Sequence, residues 1–166
     1  MIPMNAWKDY QDQHKDRFLN ELLQLLRIPS ISARGENKAD MATCAAAVRD
    51  SLLSAGCTKA VIYETPGHPI VYGEIIVDPA KPTVLVYGHY DVQPADPLEL
   101  WHSGPFDPVI KDSKICARGA CDDKGQFFMH IKAMEMMVQT NTLPTNIKFL
   151  IEGEEEVGSP NLANFV

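Results

Sequence analysis

The sequence predicts an α/β domain with a central mixed, largely parallel sheet flanked by helices. Residues 83–151 read as strand, helix, strand, the order of a right-handed parallel crossover. Two helical patterns, each with one apolar stripe, precede them and need a sheet or another helix to cover that stripe. The chain has 166 residues, 45% of them hydrophobic and 22% charged, which suffices for one packed core.

The elements follow in order. Phe18, Leu22, Leu25 and Leu26 fall at i, i+4, i+7 and i+8, predicting a helix from about Ala6 to Arg27. Pro29 disfavours a helical Ile28 and ends it. A second helix is expected from Asp40 as N-cap to Ala55, burying Met41, Cys44, Ala45, Val48 and Leu52, with Gly56 as its stop. Ala60–Glu64, Ile70–Val77 and Thr83–Gly88 read as strands, the last short and apolar as a buried strand is. Residues 93–113 hold four prolines and little periodicity, so a long loop is expected there. A third helix starts near Lys124 with Phe127, Ile131, Met134 and Val138 on its inner face. Asn146–Ile151 is a further short strand, and Ser159-Pro160 reads as N-cap and first residue of a last helix.

Composition excludes several classes. A net charge of -7 argues against a nucleic-acid partner, which needs clustered Lys and Arg. No stretch has the ~18–20 apolar residues that span a bilayer, so no membrane partner is expected. The start Met1-Ile-Pro-Met-Asn-Ala-Trp-Lys-Asp lacks a basic segment followed by an apolar one, which argues against a secretory signal. Cys44, Cys57, Cys116 and Cys121 are irregularly spaced. Reduced thiols and a cytoplasmic location are the expectation, and Cys116 with Cys121 lacks the second pair of a structural zinc site.

The chemistry lies beyond strand ends, where α/β sheets gather ligands. His89-Tyr90-Asp91 follows one strand, Glu152-Gly-Glu-Glu-Glu156 follows another, and Asp122-Asp123 precedes the third helix. Parallel neighbouring strands would bring these clusters to one rim, and imidazole with carboxylates suits zinc, or manganese or cobalt. Each also has an ordinary reading. A histidine after a strand is commonly structural, Asp-Asp before a helix caps it, and a Glu run is a solvated face.

The wording of the motifs adds to this. Gly88-His89-Tyr90-Asp91-Val92-Gln93-Pro94 resembles the G-H-x-D-V-x-P signature of the M20 metallopeptidases. Ala117-Arg118-Gly119-Ala120-Cys121-Asp122-Asp123-Lys124-Gly125 resembles their G-R-G-x-x-D-x-K-G segment, departing from it at Ala117 where the family usually has glycine. Glu152-Gly-Glu-Glu-Glu-Val-Gly-Ser159 resembles their E-G-x-E-E-x-G-S segment. Leu26-Arg-Ile-Pro-Ser-Ile-Ser32 looks like the family's entry after its first helix. Val92-Gln93-Pro94-Ala95 and Trp101-His102-Ser103-Gly104-Pro105-Phe106 are similar to the cytosolic dipeptidase and carnosinase-like branch.

The resemblance implies that His89, Asp122 and Glu156 hold two zinc ions, Asp122 bridging both. Asp91 would hydrogen-bond the His89 ring, and Glu155 would be the general base for a water that attacks the peptide bond of a small dipeptide substrate. It also implies a cis peptide at Asp122-Asp123. Aligning the Glu run on Gly158-Ser159 leaves Glu154 at a variable position. The chain is expected to be the N-terminal portion of a catalytic domain. A second acidic ligand, a late histidine and a lid domain through which the intact protein forms a homodimer would lie beyond it. The 166 residues alone are then expected to bind metal poorly and to be inactive. N-acyl amino acid amidohydrolysis and a non-catalytic module stand as alternatives. His102 is a candidate for approaching substrate, whereas His14, His68 and His130 read as turn, packing or surface residues. Lys124 reads either as a local ion-pair partner of the Asp-Asp turn or as solvated.

Overall fold

The structure is a computed structural model and describes residues 6–166. Residues 1–5 of the stretch that argues against a secretory signal lie outside the described residues. Helices α1 (Ala6–Leu26) and α2 (Lys38–Ser54) come first, followed by β1 (Lys59–Tyr63), β2 (Ile70–Ile75) and β3 (Thr83–His89). A small hairpin, β4 (Val109–Lys111) and β5 (Lys114–Cys116), precedes α3 (Lys124–Gln139), β6 (Asn146–Glu152) and the short α4 (Leu162–Phe165). No described helix is long and apolar enough to cross a membrane.

The main sheet has the order β1-β2-β6-β3. Its β3–β6 pair is parallel, as the strand–helix–strand pattern requires, with Thr83 opposite Asn146 and His89 opposite Glu152. The expectation of a largely parallel sheet is overturned, because β1–β2 and β2–β6 are both antiparallel. Chain length explains the difference. Only residues 64–69 join β1 to β2 and only residues 76–82 join β2 to β3. A parallel return needs a crossover of a dozen residues or more, so both links must reverse the chain. The long β3–α3–β6 segment alone can return in parallel, and β6 slots between β2 and β3.

Val71 and Ile75 of β2 and Ile147, Phe149 and Ile151 of β6 share one face by the two-residue repeat. There they meet Leu25 of α1, Met41, Val48 and Leu52 of α2, and Phe127, Ile131 and Met134 of α3 in a single core. Cys44 and Cys57 are buried in it, whereas Cys116 and Cys121 are exposed, and all four are free thiols.

Several boundaries differ from expectation, and three of the differences have a local cause. Helix α2 begins at Lys38, and Asp40 sits in its first turn with Asn37 Nδ2 donating to Asp40 Oδ2 at 2.8 Å. The stretch read as a loop, 93–113, contains β4 and runs into β5. The hairpin turns at Asp112 and Ser113, both at positive φ (51° and 60°), without the glycine that usually marks such a turn. Helix α4 starts at Leu162 with Asn161 before it, and Ser159 does not cap it. The Ser159 hydroxyl instead donates to Glu152 Oε1 at 2.9 Å.

Polar side chains tie α1 to α3. Glu135 and Lys132 are buried, and Lys132 Nζ lies 2.9 Å from Glu135 and 2.5 Å from Glu21. Arg17 bonds the same Glu135 carboxylate, to which Tyr10 also donates at 3.1 Å. The opposed charges hold the Glu135 carboxyl below its ordinary value against the upward push of burial.

Candidate metal centre

Parallel pairing of β3 with β6 brings the ends of both strands to one rim. His89 is the last residue of β3, and Glu155–Val157 form a 3₁₀ turn just past β6. Asp122 and Asp123 precede α3, and the peptide bond between them is cis. His89 Nε2 lies 3.0 Å from Asp122 Oδ1 and 3.8 Å from Glu155 Oε2. One donor atom each of His89, Asp122 and Glu156 lies within 4.8 Å of the other two.

The supports of these groups are local. The His89 backbone N–H donates to Asp123 Oδ2 at 3.1 Å. His89 Nδ1 faces Asp91, 3.2 Å from its carbonyl oxygen and 3.3 Å from its Oδ1. Asp91 is fully buried, and its Oδ2 accepts from Ser32 Oγ at 2.6 Å and from the Glu156 N–H at 3.1 Å. Gln93 Nε2 donates to Glu156 Oε2 at 2.7 Å. Glu154 points elsewhere. It is buried and accepts from Asn161 Nδ2 at 2.7 Å, which leaves Glu155 and Glu156 as the run's two residues at the rim.

Burial acts to lower the basicity of His89, but the carboxylates of Asp91, Asp123 and Glu155 outweigh it and raise its pKa to about 9. Since the ordinary value is 6.5, this group stabilises the folded, chelator-treated chain fully below pH 6.5. That contribution is lost as the pH rises through about 9. Differential scanning fluorimetry in EDTA should therefore show a melting temperature that falls between pH 7 and pH 9.5 (roughly the span of that titration), with the fall absent in His89→Gln.

The donor set fits a cation. Asp91, Asp122, Asp123, Glu155 and Glu156 surround a single imidazole, and the neighbouring ammonium is turned away. Lys124 is fully buried and donates to Leu25 O at 3.2 Å, in the last turn of α1, and to Ile28 O at 2.6 Å, just past it. It is therefore neither the partner of the Asp-Asp turn nor solvated. Two donors each ~2 Å from a tetrahedral zinc stand roughly 3.4 Å apart. The 3.0 Å between His89 Nε2 and Asp122 Oδ1 is close to that spacing.

Glycine makes the Asp122 loop possible. A Cβ on Gly125 would lie 2.1 Å from the Ala120 carbonyl oxygen, a backbone atom with little room to retreat. Gly125→Ala should destabilise the chain by ~1–3 kcal/mol, read from urea unfolding. His102 does not join the site. It lines a cleft of about 650 Å³ with Trp101, Lys111 and Cys116, and none of the residues read as ligands or general base lines it.

Sequence reading passed over several contributors. Ser32 lies in the Leu26–Ser32 stretch, but only its contact with Asp91 marks it. Tyr87 donates to Oε1 of the buried Glu152 at 2.5 Å, and Ser159 donates to the same oxygen at 2.9 Å. Alternation along β3 and β6, with His89 opposite Glu152, was the available signal for that contact.

Comparison with known proteins adds family context. The family model described as Peptidase family M20/M25/M40 matches residues 85–166. The human Beta-Ala-His dipeptidase is 34% identical over 170 residues, covering 95% of this chain and 34% of the relative. The crystal structure of human carnosine dipeptidase 1 superposes with a TM-score of 0.90 at 33% identity over all of this chain and 38% of its own. An M20 family metallo-carboxypeptidase from Sulfolobus solfataricus gives 0.83 at 41% identity, over 89% of this chain and 33% of its own. The chain spans about a third of the length of the curated relatives it matches.

Proposed function

This chain has the fold of the M20 zinc peptidases and is homologous to their dipeptidases and carnosinases, and from that premise we propose that it forms part of a metal-dependent hydrolase of dipeptides. The observation that carries the proposal is the convergence of His89, Asp122 and Glu156, from three separate stretches of chain, to within 4.8 Å.

His89, Asp122 and Glu156 would hold two zinc ions. Bound there, zinc would acidify a water and polarise the scissile carbonyl. The chain's own residues do the rest. Asp91 fixes the His89 ring through Nδ1, which leaves the Nε2 lone pair for the rim. Glu155, half-exposed and 3.8 Å from His89 Nε2, takes a proton from the attacking water and returns it to the leaving amine. The reading is direct attack by water on the peptide bond, with no covalent intermediate.

Three residues are few for two metals, and further donors would come from sequence of the kind that the longer relatives carry. The test is a cobalt(II) titration of the 166-residue chain followed by absorption and calorimetry. Weak binding that Asp122→Ala abolishes supports the assignment, and binding that survives Asp122→Ala overturns it.

A further inference from the structure

His89 and Glu156 reach the rim from different strand ends, yet one carboxylate touches both. Asp91 Oδ1 stands 3.3 Å from His89 Nδ1 and has no hydrogen-bond partner of its own, while Oδ2 accepts the Glu156 N–H at 3.1 Å. Such a carboxylate spaces two ligands only if it cannot turn about its Cβ–Cγ bond, a torsion with broad, soft minima. What stops it is the third contact, Ser32 Oγ to Oδ2 at 2.6 Å, the shortest of the three.

Ser32 is itself held in place. Ser30–Ser32 runs beside Tyr90–Val92 as a short parallel bracket. The Val92 N–H donates to Ser30 O at 2.9 Å, Ile31 bridges to Val92, and Ser30 Oγ donates to Tyr90 O at 2.7 Å. On its far side the Ser32 carbonyl lies 3.0 Å from His68 Nε2, so the loop between β1 and β2 braces the same residue. The hydroxyl thus approaches Asp91 from a backbone fixed on two sides.

We propose that Ser32 is a positioning residue that pins the Asp91 carboxylate and thereby sets the spacing of His89 and Glu156. The role rests on the reading of His89 and Glu156 as metal ligands, but its geometric core does not need a metal. Without the hydroxyl, Oδ2 keeps only the Glu156 amide, and the fully buried carboxylate is free to exchange its oxygens between His89 and Glu156.

The test compares wild type with Ser32→Ala and Ser32→Thr, and with Ser32→Val as the partner of Thr that has the same shape without the hydroxyl. In EDTA, hydrogen exchange of the Glu156 amide should be about tenfold faster in the Ala and Val variants and near wild type in Thr. Cobalt(II) affinity should fall ~10–100-fold in Ala and Val and recover in Thr. Should Ser32→Ala fail to fold, the Thr–Val pair gives the same comparison. Exchange and affinity unchanged in Ala and Val overturn the proposal, as does equal loss in Thr and Val. If wild type itself binds no cobalt, the metal reading fails, and amide exchange alone still decides for or against Ser32.

Discussion

Replacing Glu155 by glutamine, in a chain extended by the further sequence its relatives carry, is expected to lower kcat by ~10²–10⁴-fold while leaving zinc content unchanged. The amide keeps the size of the side chain but cannot accept the proton of the attacking water. Glu155 stands 3.8 Å from the His89 ring and is half-exposed, so its loss leaves the His89–Asp122 pair at 3.0 Å intact. Glu156→Gln should behave differently and reduce bound zinc, because its carboxylate is one of the three converging donors. Kinetics and elemental analysis on the same samples separate the two roles. Zinc lost with Glu155→Gln and kept with Glu156→Gln would reverse the assignment.

The largest effect on stability is expected far from the site, at Glu135. Glu135→Ala removes the carboxylate that the buried Lys132 and Arg17 share and strands Lys132 against the Phe18 and Phe128 rings. Removing one partner of a buried pair typically destabilises by ~3–5 kcal/mol, since the remaining charge is left without compensation. Glu21, 2.5 Å from Lys132 and one-third exposed, offsets part of this, which places the expectation near the lower figure. Chemical denaturation checks it. The double replacement Lys132→Met with Glu135→Leu should recover most of the loss, because two apolar groups of similar volume leave no orphaned charge.

Much of this architecture was legible in the sequence, and the misses have physical causes. Apolar stripes placed α1, α2 and α3 to within two residues, because burial against one core imposes a single period. The β3–α3–β6 crossover and the gathering of His89, Asp122 and the Glu run at one rim followed from strand order alone. Strand direction elsewhere was missed because it depends on link length rather than on strand residues: links of six and seven residues force reversal. The β4–β5 hairpin escaped notice because Asp112 and Ser113 adopt positive φ without a glycine to announce it. Contacts such as Ser32 with Asp91, or Lys124 with Leu25 and Ile28, join residues ~60–100 positions apart, and local periodicity carries no record of them.

The burial of Lys124 has a reach beyond its own turn. Its ammonium plugs the carbonyl end of the first helix, and its backbone continues directly from the loop that carries Asp122. The last turn of the first helix and the residues just past it thus serve as the socket for a pin that steadies the acidic loop. Unfastening that socket, by trimming the helix or by introducing a helix-breaking proline near Leu25, would release a solitary positive charge inside the protein and let the loop drift. Damage at Leu25–Ile28 should then weaken the cobalt(II) binding proposed for the acidic loop, as read by the same titration.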